Sequence, residues 1–355
     1  MRIGIIHPFF DVIGGAEQAT LFLIDELKST QNITTLYTVE PPTILETENF
    51  RFHLIKKMNF PTFWRFQRMK EVKKIFKESQ NNDIVIVMGG NLLLEKTNVN
   101  KMLVYCHSTF TEEDNFSRAR FSGVKGIYYR ILQDNIKNSI SCMNDKNVRL
   151  VTNSEYTRNE IKKRFDKDST VVYPPVNIDK FLKFFDVIKQ KNVITIARYS
   201  PEKKLEDAID IVKSSGVSYV LIGNAKHSSQ LRLFEMLKSR SGQSNIDLHC
   251  NLSYPETEKL LVSSKVYFHT SKETFGISVV ESIAAGCIPI VPNNSAHKET
   301  VPFEELRYNG KGDAVKKLEN AISGKYDHLR NDLKNHIQKF SAKSFQEKML
   351  KQINS

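Results

Sequence analysis

The chain has 355 residues, of which 40% are hydrophobic and 26% are charged, and its formal net charge is +12. This length fits two domains of ordinary size better than one hydrophobic core, and the composition excludes an intrinsically disordered chain. No apolar run approaches the roughly 20 residues that cross a bilayer. The start, "MRIGIIHPFF", soon meets charged residues, so we expect no cleavable signal peptide.

The spacing of the cysteines indicates the redox state of the cellular compartment. Four are present, at positions 106, 142, 250 and 287. They show no paired spacing and no neighbouring histidine cluster. They therefore indicate buried thiols in a reducing cytosol rather than a disulfide framework or a zinc site.

Short apolar runs rich in β-branched residues alternate with helical patterns along the first half. They predict strands at 2–7, 33–38, 52–56, 83–88, 102–106, 149–153 and 170–173. Such runs, separated by helices, are typical of a parallel sheet covered on both faces. Two prolines in "YPPVNIDKF" (173–181) favour an extended stretch, and we place the domain linker there.

The second half repeats this rhythm. It predicts strands at 192–197, 217–223, 246–250, 266–270 and 288–292. The predicted fold class is therefore α/β, with two Rossmann-like doubly wound domains that face a cleft and bind ligands at the C-terminal ends of their strands. The predicted domains are residues 1–175 and 176–339, and the final helix, about 340–355, can pack back on the first domain.

Residues 51–78 carry much of the positive charge, with nine Lys or Arg against two Glu. The apolar positions of this segment have helical spacing. They are Phe63, Phe66, Met69, Val72, Ile75 and Phe76. One interpretation is a helix packed on its own domain with a solvated basic face. The other is a helix on an anionic membrane surface, where each basic residue adds about 1 kcal/mol. No helix-turn-helix, zinc-finger or RNA-recognition motif supports a nucleic-acid partner.

Glycines follow the first strand, in "HPFFDVIGGAEQ". Gly14 and Gly15 precede a helix, so their backbone N–H groups can approach an anionic ligand closely. An ordinary turn would look the same. The three spaced glycines of the dinucleotide fingerprint are missing, which argues against a nicotinamide or flavin enzyme.

A second loop of this kind occurs in "ITIARYSPEKKLEDAIDIV". Arg198 and Lys203 follow a predicted strand and precede a helix, where they suit a diphosphate and the charge that develops on a leaving group. Solvated cations beside a helix start are the plainer interpretation.

The densest pattern is "SKETFGISVVESIAAGCIPIVP", residues 271–292. Glu273 follows a strand, and the amides of Phe275, Gly276 and Ile277 open a helix whose N-terminus favours anions or hydroxyls. Glu281 lies within an otherwise apolar run, where burial is costly unless its carboxylate accepts hydrogen bonds. A ribose diol or an unidentified cation would satisfy it.

These segments together resemble the retaining glycosyltransferases of family 4, which have the GT-B fold. The stretch "ETFGISVVESIAAGCIPIV" is similar to the family signature of two glutamates with seven residues between them. The segment "ARYSPEK" resembles the family's Arg and Lys phosphate clamp, and "GGAE" resembles its N-terminal glycine loop. The segments "MLVYCHSTFTEED", "FSGVKGIYYRIL", "VTNSEYTRNEI" and "VVYPPVNIDKF" look most like enzymes that add mannose to lipid-linked oligosaccharides from the cytosolic side.

The resemblance implies roles for individual residues. Glu281 would bind the ribose of the nucleotide and Glu273 the hydroxyls of the donor sugar. Arg198 and Lys203 would bind the diphosphate, and His107 would lie beside the anomeric carbon. Residues 1–175 would form the acceptor-side domain and residues 176–339 the domain that binds the nucleotide sugar. On this basis the chain is a hexosyltransferase that moves mannose from GDP-mannose to a glycan or lipid-linked acceptor.

The resemblance further implies a metal-independent, retaining transfer with no cofactor, since cationic side chains can stabilise the leaving diphosphate. The sequence Asp166-Lys167-Asp168 lies in a charged turn and does not suggest a metal site. The expected location is cytoplasmic, peripheral on the cytosolic face of a membrane and attached through about 51–78. No nucleic-acid partner is expected.

The sequence differs from the family pattern at two places, and three alternative functions are compatible with it. Lys204 stands where the family often has glycine, and "NNSAHKETV" (293–301) stands where it often has a Gly-Gly-Pro turn. The alternatives are the same fold with a UDP-sugar donor, a nonhydrolysing sugar-nucleotide epimerase, and a basic membrane- or nucleic-acid-binding protein that uses the fold as a scaffold.

Overall fold

The computed structural model describes residues 1–10, 14–42, 51–56, 64–89, 94–108, 130, 134, 137–242 and 245–355. The chain divides into two compact units, Met1–Pro175 with Lys343–Ser355, and Val176–Ala342. Residues 57–63 of the predicted basic segment, the side chains of 64–66, and most of the "FSGVKGIYYRIL" motif lie outside the described residues.

In the described part of the first unit, seven parallel strands form a sheet with the order β3-β2-β1-β4-β5-β6-β7. The strands are β1 Arg2–Ile6, β2 Ile33–Thr38, β3 Arg51–Leu54, β4 Ile84–Val87, β5 Lys101–Cys106, β6 Val148–Thr152 and β7 Thr170–Val171. Every strand predicted for this half is present, with ends that shift by at most two residues.

The first sheet has a hydrophobic core on each face, because successive side chains of a strand point to opposite sides. On one face, Ile5 packs in a cluster with Leu23 of helix α1 (Gly15–Lys28). On the other face, Ile6 packs in a cluster with Ile75 of helix α2 (Trp64–Glu78).

Helix α2 is the helix predicted for the basic segment. Its apolar side chains Val72, Ile75 and Phe76 are at most 6% exposed and belong to the core of the first unit. Its exposed side carries lysines, at positions 70, 73, 74 and 77. The apolar positions that the structure describes in this helix are therefore occupied by the protein itself, and the side that it shows exposed is basic.

In the described part of the second unit, six parallel strands form a sheet with the order β10-β9-β8-β11-β12-β13. The strands are β8 Gln190–Ile196, β9 Ser218–Gly223, β10 Ile246–Cys250, β11 Ser264–Phe268, β12 Ile288–Pro292 and β13 Arg307–Tyr308. The last of these was not predicted from the sequence, because two residues are too few to produce a strand pattern.

The remaining helices cover the two sheets. They are α3 Glu155–Phe165, α4 Ile178–Leu182, α5 Leu205–Ser215, α6 Ser228–Ser241, α7 Tyr254–Ser263, α8 Ile277–Ala284, α9 His297–Thr300, α10 Lys311–Ser323, α11 Arg330–His336 and α12 Ala342–Asn354. Helix α12 buries Phe345, Met349 and Ile353 in the same core cluster of the first unit as Leu23. In the described ranges no helix is both long and apolar enough to cross a membrane.

The strand order positions the candidate site. In both sheets the chain starts near the middle, moves to one edge, and then returns to build the other half. In an open α/β sheet, ligands bind beyond the C-terminal ends of the strands where this reversal occurs. The reversal falls between β1 and β4 in the first sheet and between β8 and β11 in the second.

Candidate active site

Lys203 and Glu273 meet at the reversal point of the second sheet. A short 3₁₀ turn, Pro201–Lys203, follows β8 and carries Lys203, while Glu273 lies in the loop after β11. The Lys203 Nζ is 2.5 Å from Oε1 of Glu273, and the two side chains are 17% and 18% exposed. Two residues that lie 70 positions apart thus form a largely buried ion pair at the predicted ligand edge.

The carboxylate of Glu273 is anchored through one oxygen only. Besides Lys203, the His269 Nε2 lies 2.9 Å from Oε1, and the Ser271 hydroxyl donates to the same oxygen at 3.0 Å. Among the described residues, none donates a hydrogen bond to Oε2. The arrangement fixes the plane of the carboxylate and leaves its second oxygen available to a ligand hydroxyl.

The charge on Glu273 is stabilised strongly. Burial raises its pKa, but the hydrogen bond and charge of His269, together with Lys203, outweigh that effect and hold the pKa well below the ordinary value. A carboxylate so stabilised is a weak base and a weak nucleophile. Its chemistry is to orient a ligand as a hydrogen-bond acceptor.

His269 is a site residue that the sequence analysis missed. It is 3% exposed, and its Nδ1 has no hydrogen-bond partner in the described part of the chain. The position of this histidine, directly after a buried strand and four residues before Glu273, was the available signal.

A second buried histidine, His297, holds the loop that carries Ser271 and Glu273. His297 donates from Nε2 to the carbonyl of Ser271 at 3.0 Å, and burial lowers its pKa to about 3. Its ring contacts that of His269 edge-on, with centroids 5.2 Å apart. His297 is therefore neutral and holds the backbone that presents Ser271 to Glu273.

The loop 293–299, which departs from the family pattern, braces the backbone of Glu273. The Glu273 N–H donates to the Ser295 hydroxyl at 3.2 Å, and the Ala296 N–H donates to the Glu273 carbonyl at 3.2 Å. The loop thus acts on the site through Glu273.

The start of helix α8 lies directly after this carboxylate. Phe275 is buried, with 3% exposure, and Gly276 has φ +91° as the residue before the helix. This conformation favours glycine. The N–H groups of Val279 and Val280 donate to the Gly276 carbonyl, at 3.1 and 3.3 Å. Within the described residues the amides of Ile277 and Ser278 have no acceptor, so they can meet an anion or a hydroxyl.

Glu281 is a predicted ligand whose carboxylate the described residues leave unsatisfied. Within the described residues, nothing hydrogen-bonds its carboxylate. Burial raises its pKa to about 7, and the charge of Lys180 offsets this only in part. A partly buried carboxylate of this kind is stabilised when a ligand donates hydrogen bonds to it.

Arg198, the other half of the predicted clamp, is more exposed. Its side chain is 64% exposed and lies 3.9 Å from Glu202. It therefore lies outside the Lys203–Glu273 cluster in this structure.

Both departures from the family have a conformational explanation. Lys204 has φ +51° and Ser295 has φ +55°, in the left-handed region that glycine adopts without cost. A glycine at either position would be unstrained, which accounts for its frequency there.

In the first unit, His107 follows β5 and is held by one hydrogen bond. Its Nε2 donates to the carbonyl of Met88 at 2.8 Å, and burial lowers its pKa to about 4. At neutral pH the ring is uncharged, so Nδ1 carries no hydrogen and can accept one from a hydroxyl.

The predicted glycine loop of the first unit is stabilised internally. The Gly14 N–H donates to the Glu17 carboxylate at 2.9 Å, and Gly15 begins helix α1. The Gly14 amide is therefore already used by the protein. His7, another residue missed in the sequence, lies 3.4 Å from the same carboxylate and 2.8 Å from the Thr20 hydroxyl.

The described residues do not form a metal-binding cluster. In the ranges that the structure describes, no group of three or more His, Cys, Asp or Glu side chains could hold an ion. Asp166 and Asp168 are 91% and 94% exposed, and both pair with Lys162, at 2.8 and 3.3 Å.

Solved structures with this architecture are two-domain glycosyltransferases of the GT-B class. WaaG, a glycosyltransferase involved in lipopolysaccharide biosynthesis, has a TM-score of 0.70 at 13% identity and covers 98% of each chain. Anabaena Alr3699/HepE in complex with UDP has a TM-score of 0.73 at 15% identity and covers 100% of each chain. These likenesses confirm the predicted fold class and, at such identities, the fold alone.

A family model matches the second half of the sequence. Residues 178–340 match the family described as glycosyl transferases group 1. The chain therefore contains a glycosyltransferase group 1 domain, and the resemblance seen in "ETFGISVVESIAAGCIPIV" is confirmed.

Curated relatives of the chain are named as mannosyltransferases. A Dictyostelium discoideum protein, GDP-Man:Man(3)GlcNAc(2)-PP-Dol alpha-1,2-mannosyltransferase, is 27% identical over 69% of this chain and 54% of the relative. Alpha-1,3/1,6-mannosyltransferase ALG2 of the same organism is 26% identical over 85% of this chain and 84% of the relative. The chain thus spans about half the length of the first of these relatives.

Proposed function

We propose that the protein is a retaining glycosyltransferase that transfers mannose from GDP-mannose to a lipid-linked or membrane-borne glycan. The observation that carries this proposal is the environment of Glu273. Three donors hold Oε1, while Oε2 has no partner among the described residues. A carboxylate with one fixed oxygen and one available oxygen suits recognition of a sugar hydroxyl at a defined position.

The diphosphate is assigned to the cations of the same loop. Lys203 holds Glu273 through one N–H and retains two further N–H groups for phosphate oxygens. The exposed guanidinium of Arg198 can swing toward the same anion, and the first amides of helix α8 add positive potential. Together they offset the charge that accumulates on the diphosphate as the glycosidic bond breaks.

The ribose is assigned to Glu281. Its carboxylate is partly buried on a mainly apolar helix and has no hydrogen-bond donor in the described part of the chain. Two vicinal hydroxyls donate two hydrogen bonds to one carboxylate, which stabilises the ionised form that burial disfavours.

The chemical step follows from the low basicity of Glu273. Because this carboxylate is a weak nucleophile, the acceptor hydroxyl itself attacks the anomeric carbon from the face that the diphosphate leaves. The new bond joins the acceptor oxygen to that carbon, and the diphosphate departs with the bonding electron pair. The departing phosphate oxygen accepts the hydroxyl proton. Neutral His107 is assigned to accept a hydrogen bond from a substrate hydroxyl through Nδ1.

Mannose and the glycan acceptor are assigned from the relatives. The Dictyostelium relatives are named for mannosyl transfer, in one case from GDP-Man to Man(3)GlcNAc(2)-PP-Dol. No metal ion is required in this scheme, since Lys203, Arg198 and the helix amides supply the positive charge.

Contact with an anionic membrane is assigned to the basic side of helix α2. Its apolar side is occupied by the core, so the attraction is electrostatic and sensitive to salt. Flotation with anionic liposomes tests this: neutralising Lys70, Lys73 and Lys74 should abolish binding. Unchanged binding of the triple variant would refute the assignment.

A donor panel tests the function as a whole. We expect thermal stabilisation and slow donor hydrolysis with GDP-mannose and neither effect with UDP-sugars. Stabilisation by UDP-sugars alone would favour the alternative donor, and interconversion of free sugar nucleotides would favour an epimerase. Stabilisation by no nucleotide would leave the scaffold alternative and overturn the proposal.

A further inference from the structure

A cavity of about 390 Å³ lies on the second unit, where strands of its sheet end. It does not include the carboxylate of Glu273, but it adjoins the loop that carries Arg198 and Lys203. Lys204 and Thr270 line it, and the Thr270 hydroxyl donates to the Lys203 carbonyl at 2.9 Å. Its other walls follow β12 and β13, the half of the sheet that the donor assignments leave unused.

The polar walls of this cavity carry hydrogen-bonding groups that the protein does not use. Asn294 and Asn309 line it, and no described residue accepts a hydrogen bond from either side-chain amide nitrogen. Asn293 is oriented, because its Oδ1 accepts from the Arg307 Nε at 3.0 Å. Amide side chains in this number suit a ligand with several hydroxyl groups, since each amide both donates and accepts.

The cavity also has apolar surface. Ile211, Pro292 and Tyr308 belong to its lining. Ile211 and Tyr308 are 2% and 8% exposed, so they offer the C–H face of a pyranose a small apolar contact, and the amides carry most of the recognition.

The charges argue against a phosphate in this cavity. Lys311 is held by Asp207 at 2.8 Å and by Asp210 at 3.5 Å. Of the lysines that line the cavity in the described structure, only Lys204 has no such partner. With Asp207 also in the lining, the balance of charge suits a neutral polyhydroxyl ligand better than a dianion.

We propose that this cavity binds a saccharide unit of the acceptor glycan, beyond the unit that receives the transferred sugar. The proposal rests on the function proposed above and adds a second binding subsite to it. The subsite lies on the domain that also binds the donor. It recognises acceptor hydroxyls through Asn294 and Asn309.

Steady-state kinetics of the full chain tests this proposal with Asn294→Ala, Asn309→Ala and the double variant. Asn331→Ala, an exposed asparagine of helix α11 outside the cavity lining, is the matched control. Each single variant should raise the KM for the lipid-linked acceptor about tenfold, because each removes a hydrogen-bonding partner of the ligand. The double variant should raise this KM further. The KM for GDP-mannose and the thermal stabilisation by GDP should stay within about twofold in all variants.

A direct binding measurement separates the subsite from the lipid. In saturation-transfer NMR, the lipid-free Man(3)GlcNAc(2) oligosaccharide should receive magnetisation from the wild-type chain and from Asn331→Ala but not from the double variant. An unchanged acceptor KM in the double variant, or an equal rise of both KM values, would overturn the proposal. Absence of any GDP-mannose binding would instead overturn the proposed function, so the two failures are distinguishable.

Discussion

The Nζ of Lys203 lies 2.5 Å from Oε1 of Glu273. The lysine assigned to the diphosphate and the carboxylate assigned to the sugar therefore form one ion pair before any ligand is considered. Each leaves groups available on its outer side, two N–H groups on the lysine and Oε2 on the glutamate. The pair can bind both parts of a sugar diphosphate without separating, which keeps the two recognition elements at a fixed spacing.

Replacement of Glu273 by glutamine tests the acceptor role of Oε2. The amide keeps the size of the side chain but removes the charge that holds Lys203 and His269. We expect kcat to fall by about 10²–10³, the range for loss of a group that orients the reacting substrate. Glu319→Gln, at an exposed position of helix α10, is the control and should be silent. Activity of Glu273→Gln within threefold of wild type would contradict this role.

His269 is expected to act by positioning Glu273. His269→Ala removes one of three donors to Oε1 and should lower kcat about tenfold, while the Kd for GDP stays within twofold. His269→Gln can restore an N–H donor and should recover part of kcat. If both variants lost GDP binding and kcat equally, the residue would have only a structural role. His328→Ala, at an exposed histidine, provides the comparison.

Glu281 predicts a pH dependence of nucleotide binding. Its pKa is raised from 4.5 to about 7, and ribose hydroxyls donate only to the ionised form. Calorimetry should show that GDP binds more tightly as the pH rises from 6 to 8, by up to about tenfold. The phosphate titrates equally in wild type and in Glu281→Gln, so the difference between the two proteins isolates the carboxylate. Equal pH profiles would contradict the assignment.

The same pKa predicts the effect of Glu281 on stability. Between pH 4.5 and about 7 the folded state binds more protons at Glu281 than the unfolded state does. The contribution of this group to the free energy of unfolding therefore falls as the pH rises through that window. Glu281→Gln should be more stable than wild type at pH 8, with a smaller difference at pH 5. Thermal unfolding at the two pH values measures this, and greater instability of Glu281→Gln at pH 8 would refute it.

The left-handed backbone of Lys204 predicts that a glycine variant is more stable than an alanine variant at this position. At φ +51°, glycine is unstrained and alanine is not, so Lys204→Gly should exceed Lys204→Ala in free energy of unfolding by about 1 kcal/mol. At Asn159, an exposed interior position of helix α3, the order should reverse by a similar amount. Denaturant unfolding of the four variants is the measurement. An alanine variant that is more stable at both positions would contradict the left-handed conformation of Lys204.

Much of the fold could be predicted from the sequence because its strands are short, apolar and separated by helices. Residues 2–7 and 288–292 illustrate this pattern, and both form parallel strands that are paired on both sides. The strand at Arg307–Tyr308 could not be predicted, because it is fixed by pairing with β12 and not by its own pattern. Its two residues carry no periodicity.

The candidate site was predictable in part. The motif spacing places Lys203, Glu273 and Glu281 on adjoining elements of one domain. It does not show that His269 and Ser271 share Oε1 with Lys203, since those contacts depend on side-chain geometry after a strand end. The sequence also did not show whether the apolar side of helix α2 packs on its own domain or on a membrane. An amphipathic pattern predicts a buried face without identifying what buries it.

The central claim is retaining mannosyl transfer, and the stereochemistry of the product tests it most directly. The protein would be incubated with GDP-mannose and a lipid-linked Man(3)GlcNAc(2) acceptor, and the new linkage would be assigned by NMR. The account predicts an α-linked mannose, with the configuration of the donor preserved, and loss of the product in Glu273→Gln. A β-linked product, or no transfer of mannose while another sugar nucleotide is used, would contradict it.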